Sequence, residues 1–205
     1  MKILITTFGR DEAKLNVARR DIGYEKLVII TDNPELEAIK EIKEMEAITG
    51  TDLEVIKVDS YNFMECFNRI GEVIDKYRAH DIRFNTSGGP KILSAAALLM
   101  CFNKGVQAYH SEEKTYKLPV IIGARFEEKI NKEELKILKS LGNKKEEETG
   151  KIRKKTGLAP GKFDALMQNM SKKGIVETKL DAGKMRVALT ALGVYLRREC
   201  RNGSI

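Results

Sequence analysis

The chain has 205 residues, 42% of them hydrophobic, and its 37 Lys+Arg against 30 Asp+Glu give a formal net charge of +7. This composition predicts one or two packed domains, and the apolar runs are too short to span a membrane, so we expect a cytoplasmic protein without membrane contact or a cleaved signal peptide. Three widely spaced cysteines and two histidines provide neither a disulfide framework nor a zinc site, and no metal cofactor is expected.

Apolar runs typical of buried strands alternate with amphipathic helical patterns over the first 122 residues. The predicted order is strand Lys2–Thr7, helix Asp11–Ile22, strand Leu27–Ile30, a helix opened by Thr31–Pro34 and running to Ile48, strand Leu53–Val58, helix Asn62–Tyr77, strand Ile82–Asn85, helix Pro90–Asn103, strand Val106–His110, a turn at Glu112–Lys114 and strand Leu118–Ile122. Such alternation predicts an α/β domain with a Rossmann-like, mostly parallel sheet covered by helices on both faces.

The last part of the chain differs in charge and in pattern. Residues 126–205 carry 19 Lys+Arg against 11 Asp+Glu, whereas residues 1–125 carry 18 against 19. The predicted elements are helices Lys132–Leu141, Glu146–Lys155 and Pro160–Lys173, strands Ile175–Leu180 and Lys184–Leu189, and a last helix from Thr190 to about Cys200. This order predicts a small winged helix-turn-helix domain at 126–205, and its basic excess suits a polyanion as well as an ordinary lysine-rich surface.

Two loops of the first domain are candidates for a ligand site. In an open parallel sheet, ligands bind beyond the carboxyl ends of the strands, where the strand order reverses, and the loops after the first and fourth strands should meet there. The second loop offers two glycines, hydroxyl, amide and ammonium donors, and a proline suited to the first helical position, a chemistry fit for phosphate or ribose. The candidate ligand contacts are Thr6, Thr7, Phe8, Gly9, Arg10, Asn85, Thr86, Ser87, Gly88, Gly89 and Lys91.

A purely structural role for these residues stays open. A glycine-rich turn kept for packing alone would have the same sequence, and Arg10 also suits a surface position at a helix start. His110 ends a strand near the site, where a structural role is the simpler interpretation. The sequence has neither GxGxxG nor GxxxxGK[ST], which disfavours a dinucleotide-binding protein and a P-loop ATPase.

The segment Asn85–Lys91, NTSGGPK, ends a strand and leads into an alanine-rich helix. It resembles the second signature of CARF domains, the CRISPR-associated Rossmann-fold sensors, although Pro90 stands where the family often has threonine. With the predicted second domain, the chain resembles the archaeal CARF–winged-helix transcription regulators found beside CRISPR loci. The resemblance implies a role in antiviral defence, a homodimer with the ligand on its two-fold axis, and a cyclic oligoadenylate, usually cyclic tetra-adenylate, as regulatory ligand.

Helix-turn-helix proteins place their second helix in the major groove of double-stranded DNA. In the predicted helix Pro160–Lys173, Gln168 and Asn169 can pair with adenine and Lys162 can reach guanine. The candidate DNA contacts are Arg153, Lys154, Lys155, Lys162, Gln168, Asn169, Lys172, Lys179, Lys184 and Arg186. A winged helix used for dimerisation or protein contact is the alternative.

Two functions follow from these features. The leading hypothesis is a ligand-gated transcription regulator, in which the ring binds across the dimer and changes the arrangement of the winged helices on DNA. The alternative is a ring nuclease, since some CARF proteins cleave their cyclic oligoadenylate without metal through the ribose 2′-hydroxyl. Ser87, Lys91 and the Thr6 and Thr7 hydroxyls could assist such cleavage, but no general acid–base pair accompanies them, so we expect slow cleavage or none.

Overall fold

The protein is described by a computed structural model, which covers residues 1–119, 130–142, 146–181 and 183–201. The chain forms two compact units, Met1–Arg125 and Phe126–Ile205. Among the residues covered, no helix combines the length and the apolar character needed to cross a bilayer.

The N-terminal unit is a sheet with four helices packed on it. Its strands are β1 (Lys2–Thr7), β2 (Lys26–Thr31), β3 (Asp52–Lys57), β4 (Asp81–Asn85), β5 (Gln107–Ser111) and β6 (Thr115–Lys117), and its helices are α1 (Glu12–Asp21), α2 (Glu37–Thr49), α3 (Phe63–Lys76) and α4 (Lys91–Lys104). The strand order is β3-β2-β1-β4-β5-β6, with only β6 antiparallel to its neighbour. This confirms the predicted α/β, Rossmann-like fold, and the consecutive apolar residues of β1 and β2 are buried as both faces of a covered sheet require.

Helix α2 begins later than predicted. Pro34 is expected in its first turn, but the helix starts at Glu37. The Thr31 hydroxyl accepts a hydrogen bond from the Asn33 amide, and the Asn33 side chain accepts one from the Glu35 amide, both at 3.2 Å. These local bonds form turns that compete with a helix and delay its start.

Two further boundaries differ. Pro90 is the N-cap residue of α4 and not its first helical residue, which is Lys91. Strand β6 begins at Thr115, earlier than the predicted strand Leu118–Ile122, because the hairpin turn is short and β6 pairs at once with β5. Residues 120–122 of that predicted strand lie outside the described residues.

The C-terminal unit contains helices α5 (Lys132–Ser140), α6 (Thr149–Thr156), α7 (Pro160–Lys172) and α8 (Ala191–Arg201) and strands β7 (Glu147–Glu148), β8 (Val176–Asp181) and β9 (Lys184–Leu189). The predicted helix from Glu146 was wrong at its start, because Glu147 and Glu148 pair with β9 as a short antiparallel strand. The face of α7 formed by Phe163, Leu166, Met167 and Met170 is buried as predicted. The assignment of the C-terminal unit as a winged helix-turn-helix domain stays a prediction.

The loops after β1 and β4 lie backbone against backbone. A Cβ atom on Gly88 would stand 2.0 Å from the carbonyl oxygen of Thr7, and one on Gly9 would stand 2.7 Å from the Cα of Gly89. Gly89 also has a positive φ of 78°, which disfavours other residues. The glycines therefore allow the two loop backbones to come into direct contact.

We predict that Gly88→Ala destabilises the protein by about 1–3 kcal/mol, because the methyl group would overlap a backbone that cannot move without displacing β1. Urea unfolding of the full chain measures the change. Gly23→Ala is the matched control, since a Cβ there meets nothing within 4 Å. Equal stability of the two variants would contradict the proposed contact between the loops.

Candidate functional site

A cleft of about 780 Å³ opens at the carboxyl ends of the parallel strands, within the size range of small-molecule sites. Four loops line it. The lining residues are Gly9, Arg10, Asp11 and Lys14 after β1, Asp32, Asn33 and Leu36 after β2, Tyr61 after β3, and Ser87, Gly89 and Pro90 after β4. The sheet order reverses between β1 and β4, so the cleft lies at the switch point that the sequence predicts as the ligand site.

Hydrogen bonds fix the polar side chains at the ends of β1 and β4. Asn85 Nδ2 donates to Thr6 Oγ1 at 3.1 Å, and Ser87 Oγ donates to Asn85 Oδ1 at 2.7 Å. Thr86 Oγ1 donates to the carbonyl oxygen of Tyr109 on β5 at 3.1 Å. Thr6, Asn85 and Thr86 therefore support the site from beneath, while Ser87 is held at its surface.

Only part of the predicted ligand set faces the cleft. Gly9, Arg10, Ser87 and Gly89 line it, as the prediction requires. Thr7 is buried, and its hydroxyl has no hydrogen-bond partner among the described residues.

Phe8 was predicted as a ligand contact, but its ring is fully buried in the apolar cluster between the sheet, α1 and α2 and does not line the cleft. Gly88 packs against the β1 loop and is not among the residues that line the cleft. Lys91 is exposed at the start of α4 and is not among the lining residues.

The cleft also contains charged residues that sequence reasoning missed. Asp11 caps α1 by accepting from the Ala13 amide at 3.1 Å. Lys14 lies in the first turn of α1, directly after the β1 loop, and this position beside the predicted ligand loop is the signal that would have identified it. The Lys14 ammonium is 2.6 Å from the carboxylate of Glu112, and this hydrogen bond lowers the pKa of the Glu112 side chain.

Among the described residues, no group of three or more His, Cys, Asp and Glu side chains is placed to share a metal ion. His110 lies beside the hairpin turn, with its Nε2 3.2 Å from Glu112 Oε1. Burial raises the pKa of the Cys66 thiol to about 11 and that of Cys101 further, so neither thiol ionises readily at neutral pH.

The exposed face of α7 is the second candidate site. Lys162, Gln168 and Lys172 are exposed, as the predicted major-groove helix requires. A groove of about 570 Å³ runs along this helix and is lined by Asp164, Gln168, Ser171 and Lys172 of α7 together with Thr149, Thr178 and Met185. It leaves one side of the helix open to a ligand.

Asn169 is also exposed, but its side chain is engaged within the C-terminal unit. Its amide nitrogen donates to Glu134 Oε1 at 2.8 Å, and Lys173 Nζ lies 2.8 and 2.7 Å from the two oxygens of the same carboxylate. Glu134 is fully buried on α5 and also accepts from the Asn131 amide in a capping box. Asn169 therefore holds α7 against α5, and we leave it out of the proposed DNA contacts.

Acidic residues pair with five of the eight basic candidates in the structure. The ion pairs are Lys155 with Glu147 at 3.3 Å, Lys162 with Glu133 at 2.5 Å, Lys184 with Glu148 at 2.8 Å, Arg186 with Asp181 at 2.8 Å, and Lys179 with Glu146. Within the described ranges, Arg153, Lys154 and Lys172 form no ion pair. Exposed pairs contribute only about 0–1 kcal/mol, so a phosphate can replace the carboxylate at little cost.

We predict that Glu134→Gln lowers the free energy of unfolding of the C-terminal unit by about 2 kcal/mol, because it removes the charged partner of Lys173 from a buried position. Hydrogen exchange of the α7 amides in the full chain measures this loss. Glu133→Gln, which removes only the exposed pair with Lys162, should leave the exchange almost unchanged. Equal effects would contradict the role given to Glu134.

Comparison with solved structures gives distant similarities. The chain is similar to protein VC1899 from Vibrio cholerae, with 12% identity, a TM-score of 0.48, and coverage of 95% of this chain and 65% of that chain. It is similar to Can2 from Sulfobacillus thermosulfidooxidans in complex with cyclic tetra-adenylate, with 11% identity, a TM-score of 0.46 and coverage of 99% and 64%. It is also similar to a type III CRISPR defence DNA nuclease activated by cyclic oligoadenylate, with 11% identity, a TM-score of 0.50 and coverage of 87% and 36%.

The chain thus spans less than two thirds of each of these proteins. At such identities the similarity concerns the fold alone, and the match to the nuclease supports the Rossmann-like fold predicted for a CARF domain. No curated protein matches the chain in sequence. A family model described as HFX_2341_N:-like, N-terminal matches residues 2–116, which is more than half of the chain. The chain therefore belongs to the HFX_2341_N:-like, N-terminal family.

Proposed function

We propose that the protein is a transcription regulator that senses a cyclic oligoadenylate with its N-terminal unit and binds double-stranded DNA with its C-terminal unit. The observation that carries the proposal is the cleft at the switch point, where Arg10, Ser87 and the backbone of Gly89 come together. A guanidinium and a loop backbone at the start of a helix are groups that bind phosphates, and the Ser87 hydroxyl, whose proton is donated to Asn85, borders them.

The ligand class is supported from two directions. The segment NTSGGPK resembles the CARF signature, and it forms the β4–α4 loop that borders the cleft. The type III CRISPR nuclease with the similar fold is activated by cyclic oligoadenylate. Cyclic tetra-adenylate is the first ligand to test. Lys91, exposed beside the loop, stays a proposed contact.

A two-fold symmetric ring implies a two-fold symmetric protein site, which two copies of the chain would form. Helix α4 offers a surface for such pairing. Ile92 and Leu99 lie seven residues apart on one helical face, and they are 39% and 40% exposed although both are apolar. Because α4 begins beside the ligand loop, pairing of this face would bring two clefts together.

Binding to DNA is supported by the exposed face of α7 and by the charge around it. From Thr149 onward, 13 Lys+Arg stand against 4 Asp+Glu. Lys172 and Gln168 line the open groove, while Arg153 and Lys154 lie near the turn that precedes α7. The proposed arrangement uses Gln168 for base recognition and the basic residues for phosphates.

Cleavage of the ring is the alternative function. It needs a group that removes the proton of a ribose 2′-hydroxyl or stabilises the transition state. Thr6 and Thr7 are buried, and the Ser87 hydroxyl donates to Asn85. This geometry favours a binding role for the loops.

Ligand binding and DNA binding should be coupled in the proposed regulator. Cyclic tetra-adenylate should change the affinity for duplexes from the protein's own locus by about 5- to 150-fold, the usual range for a ligand that favours one conformation. Fluorescence anisotropy with labelled duplexes, with and without ligand, measures the change. Ligand binding that leaves the affinity for every duplex unchanged would contradict the regulator hypothesis.

Arg10→Ala should weaken binding of cyclic tetra-adenylate about tenfold or more, because it removes a charged hydrogen-bond donor from the cleft. Calorimetric titration measures the affinity. Lys43→Ala removes an exposed charge from α2 outside the cleft, and its affinity for cyclic tetra-adenylate should stay within about twofold of that of the native protein. Equal losses in both variants would indicate an effect of net charge and not of the site.

Lys172→Ala should weaken the binding of all duplexes by the same factor. It should also reduce the slope of log affinity against log salt concentration by about 1, as the loss of one phosphate contact requires. Gln168→Ala should reduce discrimination at one base pair, at a cost of about 1–3 kcal/mol. Lys136→Ala on α5 serves as the control for a lost surface charge. The groove assignment is wrong if the Lys172 and Lys136 variants behave alike.

A further inference from the structure

The cleft has two walls of different chemistry. On the wall after β1 and β4 the Asp11 carboxylate is engaged as the cap of α1, and the Arg10 guanidinium and the loop backbone are donors suited to an anion. The wall after β2 and β3 presents Asp32, Leu36 and Tyr61, which are an acceptor, an aliphatic group and an aromatic ring. A carboxylate repels phosphate, so the second wall requires a different part of the ligand.

The Asp32 side chain is held in place. It follows the last residue of β2, and the fully buried Ser60 donates a hydrogen bond of 2.8 Å to its Oδ2. Among the described residues, the hydrogen bonds of Asp32 engage Oδ2 only, so Oδ1 can accept from a ligand. A fixed carboxylate at the end of the second strand of a Rossmann-like sheet is in the position from which such folds bind ribose hydroxyls.

Tyr61 presents a broad apolar surface at the same wall. The residue is 72% exposed, while its backbone amide donates a 3.1 Å hydrogen bond to Asp59 Oδ1. Leu36 lies in the same wall and packs against the apolar core cluster, so this side of the cleft has a firm aliphatic floor. An exposed ring on an anchored loop, beside an aliphatic surface, suits stacking of a nucleobase.

We propose that this wall is a nucleoside subsite, in which Asp32 Oδ1 accepts a hydrogen bond from a ribose 2′-hydroxyl and Tyr61 stacks on the attached base. The inference deepens the proposed function and rests on it, since it assigns the parts of a ribonucleotide ligand to opposite walls. Phosphates bind at the β1 and β4 loops, and the nucleoside extends toward β2 and β3. Asp32 then makes the site selective for ribose over deoxyribose.

The test compares AMP with 2′-deoxy-AMP, which differ only in the hydroxyl that Asp32 would bind. In NMR titrations of the full chain, the native protein should bind AMP about tenfold or more tightly than its deoxy counterpart, because a hydrogen bond to a charged group is lost. Asp32→Ala should reduce this ratio to about one. Glu35→Gln, an exposed carboxylate beside the wall and outside the cleft lining, should keep the ratio of the native protein.

Tyr61→Ala should weaken AMP and 2′-deoxy-AMP equally, by about 5- to 100-fold, whereas Tyr61→Phe should retain the affinity because stacking needs only the ring. Asp32→Asn provides a second variant that keeps the shape of the side chain and should show an intermediate ratio. A native protein that binds neither nucleotide, or binds both equally, overturns the subsite. A ratio unchanged in Asp32→Ala overturns it as well.

Cyclic tetra-adenylate in the same titrations separates the two proposals. If the ring does not bind while AMP keeps its ribose preference, the sensor function fails and the nucleoside subsite stands. If the ring binds but Asp32→Ala retains full preference for ribose, the subsite fails and the sensor function stands.

Discussion

The contact between the β1 and β4 loops is the constraint on which the candidate site depends. Parallel pairing brings the carboxyl ends of the two strands together, and Gly88 then lies so close to Thr7 that no side chain fits between them. This contact joins two separate chain segments into one surface, on which Arg10 and Ser87 face the same cleft. The hydrogen bonds from Ser87 through Asn85 to Thr6 continue the connection beneath it. The β1 and β4 loops are thus held together by the packing of the domain.

Much of this arrangement could be predicted because it depends on local pattern. Runs of apolar residues identify the buried strands, parallel order fixes which loops meet, and helical spacing identifies the inner face of α7. What could not be predicted is the direction of individual side chains, since tertiary contacts decide it. Phe8 enters the core while its neighbour Gly9 faces the cleft, and Asn169 is drawn to a buried carboxylate on another helix. Strand β7, with two residues, has no periodicity to detect.

Both candidate sites combine a recognition surface with charges that are already paired. Lys14 at the cleft is bound to Glu112, and Lys162 on α7 is bound to Glu133. A phosphate arriving at such a lysine exchanges one carboxylate partner for another anion, so the net gain is small and depends on salt. The affinity for a phosphate ligand then depends on basic groups without a carboxylate partner and on the fit between the ligand and the cleft or groove. The paired lysines contribute less to affinity and more to selectivity among ligands. In the proposed regulator, coupling between the sites must be reciprocal, so DNA would alter ligand affinity by the same factor.

The central claim is that two copies of the chain share one cyclic oligoadenylate at the switch-point cleft. Calorimetric titration of the full chain with cyclic tetra-adenylate, combined with light scattering of the same sample, tests it most directly. The account predicts a dimer and one ring bound for every two chains, because a two-fold ligand matches a two-fold site. A monomer that binds one ring per chain, or a dimer that gives no heat with any cyclic oligoadenylate, would contradict it.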